Sequence, residues 1–248
     1  MISKNKIKQL QQFHQKKQRD AHSVFFIEGA KLVEEALQSD FIIREIYATE
    51  SWIKKNSHIQ SLITQAADEE LKKISLLKTV PEVWALVEQK KTTFPHHQTG
   101  LILVLDNIQD PGNMGSILRT ADWFGISHIV CSPDCVDIYN PKVVQASMGA
   151  IFRVSVHISN ISEYIPQSKL PVFGAFLEGK NIFTEHIPQN AIIVMGNEGK
   201  GISESVTKHI NTKIHIPSFA SGKGSESLNV SVATAIICAE YRRKNAGV

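Results

Sequence analysis

An apolar run that gives way to a polar turn and then to a helix is the feature of this sequence that most restricts its fold. The run spans residues 101–105 and has the pattern of a buried strand. The turn is Asp-Pro-Gly at residues 110–112, where Pro and Gly supply the backbone angles that a tight turn needs. We expect Asn113 to cap the following helix and Gly125 to end it. Free N–H groups at such a helix N-terminus predict an anion site.

The length and composition of the chain are those of a globular protein. Its 248 residues are enough for one large domain or two ordinary ones, and 42% of them are apolar while 21% are charged. No apolar run approaches the roughly 20 residues that span a bilayer. Residues 1–6 lack the apolar core of a signal peptide. We therefore expect a cytoplasmic protein that does not bind a membrane.

The three cysteines, Cys131, Cys135 and Cys238, are typical of a reducing compartment and cannot all pair. Cys131 and Cys135 could be half of a metal site. No second cysteine pair and no suitably spaced histidine pair accompanies them, so we expect no structural metal.

The small positive charge of the chain is concentrated near its N-terminus. The net charge is +3, and residues 1–95 carry fifteen Lys and Arg against twelve Asp and Glu, while residues 96–248 carry twelve of each. Six cations precede the first acidic residue, Asp20. They are Lys4, Lys6, Lys8, Lys16, Lys17 and Arg19. Such a run is either a solvated helix face or an electrostatic footprint for nucleic acid.

Residues 1–95 alternate between predicted strands and helices, which is the pattern of an α/β sandwich. The predicted strands cover residues 24–27, 41–47 and 76–77, and the predicted helices cover residues 3–19, 29–37, 59–66 and 81–87. The polar, turn-prone stretch 89–100 follows and predicts a domain boundary. We therefore expect two domains, residues 1–95 and residues 96–248.

The second part of the chain continues the alternation. The predicted strands cover residues 101–105, 128–131, 154–158, 172–176, 191–195 and 213–216, and the predicted helices cover residues 113–124, 141–147 and 228–243. The last helix is apolar on most faces, with Val232, Ala235, Ile236 and Ala239 at helical spacing. So continuous an apolar surface predicts burial, partly against a second subunit.

Common nucleotide-binding and hydrolase motifs are missing. The dinucleotide pattern Gly-x-Gly-x-x-Gly and the phosphate-loop pattern Gly-x4-Gly-Lys-Ser/Thr do not occur. The loop at residues 221–225 has residue types that suit phosphate, but not the spacing. Residues 145–149 lack the first glycine of a hydrolase nucleophile elbow.

Three short segments, in order along the chain, carry a more specific signal. They are Asn-x-Gly-x-x-x-Arg at residues 113–119, Gly-Asn-Glu-Gly-x-Gly at 196–201 and Ser-Leu-Asn-Val-Ser-Val-Ala at 227–233. Together they resemble the three motifs of the SpoU branch of the SPOUT RNA methyltransferases. Residues 25–29 resemble part of the ribosomal-protein-like substrate-binding domain that precedes many SpoU catalytic domains. The resemblance implies a mainly parallel α/β sheet, a C-terminal trefoil knot and a homodimer.

The resemblance also implies an enzyme that moves a methyl group from S-adenosylmethionine to a ribose 2′-hydroxyl in RNA. Backbone groups of glycine-rich turns, with flanking apolar side chains, can receive the adenosine of this cofactor. The cofactor-binding residues that the motifs imply are Met195, Gly196, Gly201, Ile216, Pro217 and Leu228. The catalytic residues that they imply are Arg119, Asn113, Glu198, Ser227 and Asn229.

Two questions of role and substrate stay open in the sequence. Arg119 matches an arginine often proposed in the family as the general base, but arginine stays protonated in proteins, which favours a forked clamp on RNA. Glu198 can act in the reaction or hold the loop of the second motif. The accessory domain makes large-subunit (23S) ribosomal RNA the preferred substrate. Transfer RNA, or a knotted RNA-binding protein without catalysis, are the alternatives.

Overall fold

The computed structural model describes residues 1–57, 59, 63–90, 92, 99–221 and 226–245. The chain divides into two compact units. The first unit combines Met1–Lys91 with the later segment Asp137–Phe152, and the second combines Thr92–Val136 with Arg153–Val248. No helix among the described residues is both long and apolar enough to cross a bilayer.

Strands and helices alternate along the whole described chain. Up to residue 90 the elements are α1 (Lys4–Gln12), α2 (Lys16–His22), β1 (Val24–Glu28), α3 (Ala30–Leu37), β2 (Ile43–Ala48), α4 (Glu50–Lys55), β3 (Ile63–Gln65), α5 (Asp68–Ile74) and β4 (Val83–Glu88). From residue 99 they are β5 (Leu101–Leu105), α6 (Pro111–Trp123), β6 (His128–Cys131), α7 (Pro141–Ser147), β7 (Ser155–Ile158), α8 (Ile161–Ser168), β8 (Val172–Asn181), β9 (Ala191–Met195), α9 (Glu204–Thr207), β10 (Thr212–His215) and α10 (Val230–Asn245).

The first unit is built on a four-stranded sheet of order β1-β4-β2-β3. The pairs β1–β4 and β4–β2 are antiparallel, and β2–β3 is parallel. Both faces of the sheet are covered. Phe26 and Trp84 stack on one face with 5.3 Å between ring centroids, and Phe25 and Ile27 enter a separate core on the other face.

Segment 137–152 completes the second of these cores. Val144, Ile151 and Phe152 are buried members of the cluster that contains Phe25, and Tyr139 packs against it with its ring centroid 4.5 Å from that of Phe25. Part of the core of the first unit therefore comes from segment 137–152, which begins almost fifty positions after the rest of that unit ends in sequence.

The buried Arg19 fastens the same segment by charge. Its guanidinium is 2% exposed and donates to the Oδ2 atom of Asp137 at 2.6 Å and to the carbonyl oxygens of Phe13 and His14 at 3.0 and 2.9 Å. Arg19 is therefore a buried ion-pair partner. It does not belong to the surface run of cations that the sequence predicts.

Several predicted elements of the first unit are wrong. Residues 81–87 were predicted as a helix but contain the central strand β4, where Val83, Trp84 and Val87 are fully buried. Strand β4 is apolar on both faces, so its periodicity resembles that of a buried helix, and only its β-branched and aromatic residues favour a strand. The predicted helix 3–19 is two helices that break at residues 13–15. Residues 76–77 form no strand.

The predicted helix at residues 59–66 is also wrong where it can be compared. Ile63–Gln65 is the edge strand β3, which pairs with β2, while residues 58 and 60–62 lie outside the described residues. Most of the predicted boundary stretch 89–100 falls outside them too.

The second unit contains a six-stranded sheet of order β10-β8-β9-β5-β6-β7 in which every pairing is parallel. The predicted α/β fold with a parallel sheet is therefore confirmed. The trefoil knot stays a prediction of the resemblance. The connection that leaves β5 runs towards one edge of the sheet, and the connection that leaves its neighbour β9 runs towards the other edge. Ligands of open parallel sheets bind at such a switch point, beyond the carboxyl ends of the strands.

Helix α6 begins earlier than predicted. Asp110 is its N-cap, accepting a hydrogen bond from the backbone N–H of Asn113 at 2.8 Å, and Pro111 occupies the first turn. The prediction that Asn113 caps this helix is therefore wrong, and its side chain is free for other contacts. The end is as expected, because Gly125 follows the C-cap with φ of +62°.

Candidate active site

A cleft of about 1290 Å³ opens in the second unit beyond the carboxyl ends of β8, β9 and β10. Its lining includes all six residues that the motifs imply for the cofactor, namely Met195, Gly196, Gly201, Ile216, Pro217 and Leu228. Of the predicted catalytic residues, Glu198 and Ser227 also line it.

The turn at residues 196–201 forms one wall of this cleft. Asn197 and Gly201 exchange two backbone hydrogen bonds, at 3.0 and 2.8 Å, and Gly201 has φ of +70°, a conformation that glycine adopts without strain. The Asn197 side chain holds the turn from both sides. Its Oδ1 atom accepts from the N–H groups of Gly199 and Lys200, and its Nδ2 atom donates to the Asn107 carbonyl oxygen at 2.8 Å.

Position 196 must be glycine because the turn itself leaves no room for a side chain there. A Cβ atom at Gly196 would lie 2.4 Å from the Gly201 carbonyl carbon and 2.4 Å from the Ile202 nitrogen. The sequence interpretation assigned Gly196 to the close approach of a cofactor. In the structure, the nearest neighbours of the missing side chain are backbone atoms of the protein.

We therefore expect Gly196→Ala to displace the turn and to weaken S-adenosylmethionine binding by at least about tenfold, because backbone atoms must move to relieve the overlap. Isothermal titration calorimetry measures the change. Gly199→Ala is the matched control, since among the described residues its added methyl group would meet the Asn197 Oδ1 atom alone, at 3.7 Å. Equal affinities for the two variants would contradict this role for Gly196.

One residue from each of the three motifs meets in a single hydrogen-bonded cluster. The Glu198 Oε1 atom accepts from Asn113 Nδ2 at 2.7 Å and from Asn229 Nδ2 at 2.9 Å, and Asn229 Nδ2 also donates to Asn113 Oδ1 at 2.9 Å. The Glu198 carboxylate lies at the N-termini of α6 and α10, where helix dipoles stabilise negative charge.

Asn229 also organises the start of α10. Its Oδ1 atom accepts from the backbone N–H groups of Ser231 and Val232 at 3.0 and 3.3 Å, which is the pattern of an N-cap. Because its amide donates to Asn113 and Glu198 at the same time, Asn229 fixes α10 relative to the other two motifs.

Two of the five predicted catalytic residues stand apart from the cluster. Arg119 is exposed on α6 and makes no hydrogen bond or ion pair with any described residue. Six residues after Asn113, it lies about 9 Å further along the helix and about 120° around it. Ser227 is exposed in the cleft wall and likewise has no hydrogen-bond partner in the described part of the chain.

The cleft fits the adenosine part of S-adenosylmethionine. Gly196, Ile216 and Leu228 line it, and their backbone N–H and C=O groups have no hydrogen-bond partner among the described residues. Such groups can recognise an adenine edge, while the Ile216 and Leu228 side chains can contact its faces. Leu228 is 48% exposed, so apolar surface is available for this contact.

The sequence interpretation missed two residues that hold the loops of the site by hydrogen bonds. Asp106, which directly follows β5, is buried and its Oδ2 atom accepts from the backbone N–H of Ser203 at 2.7 Å. Asn107 has φ of +59° and offers its carbonyl oxygen to Asn197. The signal that could have found both is their position, since polar residues that directly follow a buried parallel strand lie at the ligand-binding edge.

Comparisons with known proteins show which family the chain resembles over almost its whole length. The model of the SpoU rRNA Methylase family matches residues 100–239, and that of the MRM3-like substrate binding domain matches residues 4–85. The 23S rRNA (guanosine(2553)-2′-O)-methyltransferase RlmP of Bacillus subtilis is 30% identical over 96% of this chain and 96% of its own length.

Solved structures match over almost the whole chain. A protein of Porphyromonas gingivalis assigned to the TrmH family of RNA methyltransferases is 38% identical with a TM-score of 0.89, covering 99% of this chain and 100% of that one. An AdoMet-bound rRNA methyltransferase of Sinorhizobium meliloti is 26% identical with a TM-score of 0.86, covering 98% and 97%. With its three motifs joined at one cleft and the family model matched over more than half its length, the chain belongs to the SpoU rRNA methylase family.

Proposed function

We propose that this protein transfers a methyl group from S-adenosylmethionine to the 2′-hydroxyl of a ribose in 23S ribosomal RNA. The observation that carries the proposal is the Asn113–Glu198–Asn229 cluster, which joins the three SpoU motifs beside a cleft that fits the cofactor. The relative from Bacillus subtilis, which matches over nearly the full length of both chains, is named for this reaction on 23S rRNA.

S-adenosylmethionine, when bound, supplies a methyl group on a positively charged sulfur. The residues of the chain hold and orient it. Backbone groups of Gly196, Ile216 and Leu228 receive the adenine, and the cluster around Glu198 keeps the three motif loops in register. Fixing both reactants in line is where much of the acceleration arises in such transfers.

Arg119 is proposed as a clamp on the RNA rather than as a proton acceptor. Its guanidinium is exposed and free of ion pairs among the described residues, so it is available to a phosphate of the substrate. Arginine presents two parallel N–H donors to phosphate and stays charged at all working pH values. A clamp of this kind places the ribose and stabilises the negative charge that develops on its 2′-oxygen.

The first unit is proposed to bind the RNA. Fewer of the cations at residues 4–19 are available for this binding than the sequence suggested. Besides the buried Arg19, Lys6 pairs with Glu45 at 2.7 Å and Lys16 pairs with Asp20 at 2.7 Å. Within the described residues the remaining cations of the run make no ion pair. They are Lys4, Lys8 and Lys17. These three side chains are the best candidates in the run for salt-sensitive contacts with phosphates.

A methyl-transfer assay with labelled S-adenosylmethionine tests the substrate. We expect label in 23S rRNA that lacks the modification and none in transfer RNA under the same conditions. Label in transfer RNA alone would favour the transfer RNA alternative. No label in either RNA, from a protein that binds the cofactor, would favour a non-catalytic RNA-binding protein. We propose the cytoplasm as the compartment in which it acts.

We also propose that the protein works as a homodimer through α10. The stripe that was predicted to be buried is open to solvent on the single chain, because Val232 and Ala239 are exposed and Ala235 and Ile236 are half-buried. Val232 is 47% exposed, and an apolar stripe of this kind is typical of a surface that another protein covers.

Light scattering at micromolar concentration is expected to give twice the chain mass of 27.6 kDa. Ala239→Asp should shift the protein to a monomer, because it places an unpaired charge at the C-terminal end of the apolar stripe. Ala21→Asp makes the same change on the exposed surface of α2 and should leave the dimer intact. A fully active wild-type monomer would contradict the dimer.

A further inference from the structure

The cleft of the second unit exposes large apolar side chains to solvent. Leu177, Phe219 and Leu228 line it and are 70%, 87% and 48% exposed. Contact of such side chains with water is unfavourable, and several of them around one cleft are typical of a surface that a ligand covers. Leu228 is already assigned to the adenine of the cofactor, so Leu177 and Phe219 remain available to a second ligand.

Phe219 carries the open aromatic ring of this cleft. The other phenylalanine in the described lining, Phe176, is half-buried, and the Lys213 Nζ atom lies over its ring, 4.9 Å from the ring centroid. Phe219 makes no ring contact and no cation contact with any described residue. Both faces of its ring are therefore available to a planar ligand.

The backbone on either side of Phe219 is held in place. Pro217 fixes one backbone angle of the segment that leaves β10. The Ser218 Oγ atom accepts a hydrogen bond from the Ala220 N–H at 3.3 Å, which braces the turn that carries Phe219. Because this turn is already formed, less conformational freedom is lost when the ring binds a ligand.

The proposed reaction needs a second reactant in the same cleft. The ribose 2′-oxygen must lie in line with the bond between the methyl group and the sulfur, so the base on that ribose also enters the cleft. Proteins that select single RNA nucleotides hold their unstacked bases against aromatic side chains. The cleft has room for this base, because its volume of about 1290 Å³ exceeds the 300–1,000 Å³ or so that encloses one drug-sized ligand.

We propose that Phe219 stacks on the base of the nucleotide that receives the methyl group, while Leu177 offers that base a further apolar contact. This role rests on the proposed function. Every base presents a flat π face, so the contact selects an unpaired, unstacked nucleotide rather than one particular base. The ligand of Phe219 is therefore an RNA nucleotide taken out of its helix.

Variants at position 219 test the stack by its effect on the reaction with RNA. Phe219→Ala is expected to lower kcat/KM for the RNA by about 5–150-fold, the range typical of losing one stacked base. Phe219→Leu is apolar but has no ring face, so it should be as slow as Phe219→Ala, whereas Phe219→Trp should restore most of the loss. Phe183→Ala is the matched control, because Phe183 is 40% exposed and does not line the cleft. Wild-type kcat/KM for Phe219→Leu would overturn the stack.

Calorimetry separates a contact with RNA from a contact with the cofactor. Phe219→Ala should bind S-adenosylmethionine with wild-type affinity, because Ile216 and Leu228 are the residues assigned to the faces of the adenine. A fall in cofactor affinity as large as the fall in kcat/KM would show that Phe219 covers the cofactor, and would overturn its assignment to the RNA base.

Ultraviolet cross-linking tests the contact without catalysis. The protein is irradiated with unmodified 23S rRNA and, separately, with transfer RNA. With one of them we expect a nucleotide attached to the tryptic peptide 214–223, which contains Phe219, and no such product from Phe219→Leu. No cross-link at this peptide with either RNA would overturn the stack.

The two measurements also separate this inference from the proposed function. A wild-type protein that cross-links through residues 214–223 but transfers no methyl group would contradict the proposed reaction and support the stack. A wild-type protein that methylates RNA, with Phe219 variants that keep its kcat/KM, would overturn the stack alone.

Discussion

Deleting residues 1–95 is expected to leave segment 137–152 without its core and to destabilise the remaining chain. The deletion would uncover Tyr139, Val144, Ile151 and Phe152, which now pack against the sheet of the first unit. Burial of each such apolar side chain contributes about 1.5–3 kcal/mol, and a whole protein is stable by only about 5–15 kcal/mol. Circular dichroism should show a thermal transition for residues 96–248 alone that lies well below that of the full chain. A cooperative transition near that of the full chain would contradict the shared core.

A pair of point variants tests the same interaction in the full chain. Asp137→Ala leaves the buried Arg19 without its ion-pair partner, so the free energy of unfolding should fall by about 3–5 kcal/mol. Asp134→Ala is the matched control, because Asp134 is exposed and should change stability by less than about 0.5 kcal/mol. Equal stability of the two variants in urea unfolding would show that the buried pair does not hold segment 137–152.

Arg119→Lys is expected to slow methyl transfer by about 10²–10³-fold, the loss typical of removing one preorganised electrostatic donor. Lysine keeps the charge but loses the planar pair of donors that a phosphate clamp uses. Cofactor affinity should barely change, because Arg119 does not line the cleft. Single-turnover rates and calorimetry give the two quantities. Arg243→Lys, an exposed arginine at the end of α10, is the control and should keep wild-type rates.

The pH dependence of this variant separates a clamp from a general base. A lysine with a pKa of about 10.4 deprotonates as pH rises, whereas arginine stays charged. If the residue at position 119 acted as the base, the variant would therefore recover towards wild type between about pH 8 and pH 10. A clamp cannot recover, since the missing geometry does not titrate. Full rescue at high pH would restore the general-base assignment.

Local sequence chemistry predicted the core of the second unit well. The apolar run 101–105 and Gly125 each specify local structure, and β5 and the end of α6 lie where those signals put them. The tight turn predicted at residues 110–112 is wrong, because Asp110 is the N-cap and Pro111 and Gly112 are the first residues of α6. The error at the start of α6 was avoidable, because Asp before Pro is itself a cap followed by a first-turn proline. For β4 the sequence was ambiguous, since a strand buried on both faces loses its alternation.

Long-range pairings could not be read from local patterns. The Arg19–Asp137 ion pair spans 118 residues, so Arg19 looked like one more member of a solvated cationic run. The contacts of Asn113 with Glu198 and Asn229 span 85 and 116 residues, and only the resemblance to known motifs brought these residues together in advance. The roles of Arg119 and Ser227 stay predictions, because their expected partner is RNA or cofactor rather than protein.

Locating the transferred methyl group on its nucleotide tests the proposed activity most directly. Unmodified 23S rRNA is incubated with the protein and S-adenosylmethionine. One sample is digested to nucleosides to identify the methylated nucleoside, and a second, undigested sample is mapped by resistance to alkaline cleavage. We expect one 2′-O-methylated ribose, and no transfer to the same RNA with a 2′-deoxy sugar at that position. Methylation of a base, or no transfer by folded protein that binds the cofactor, would contradict ribose 2′-O-methylation by this chain.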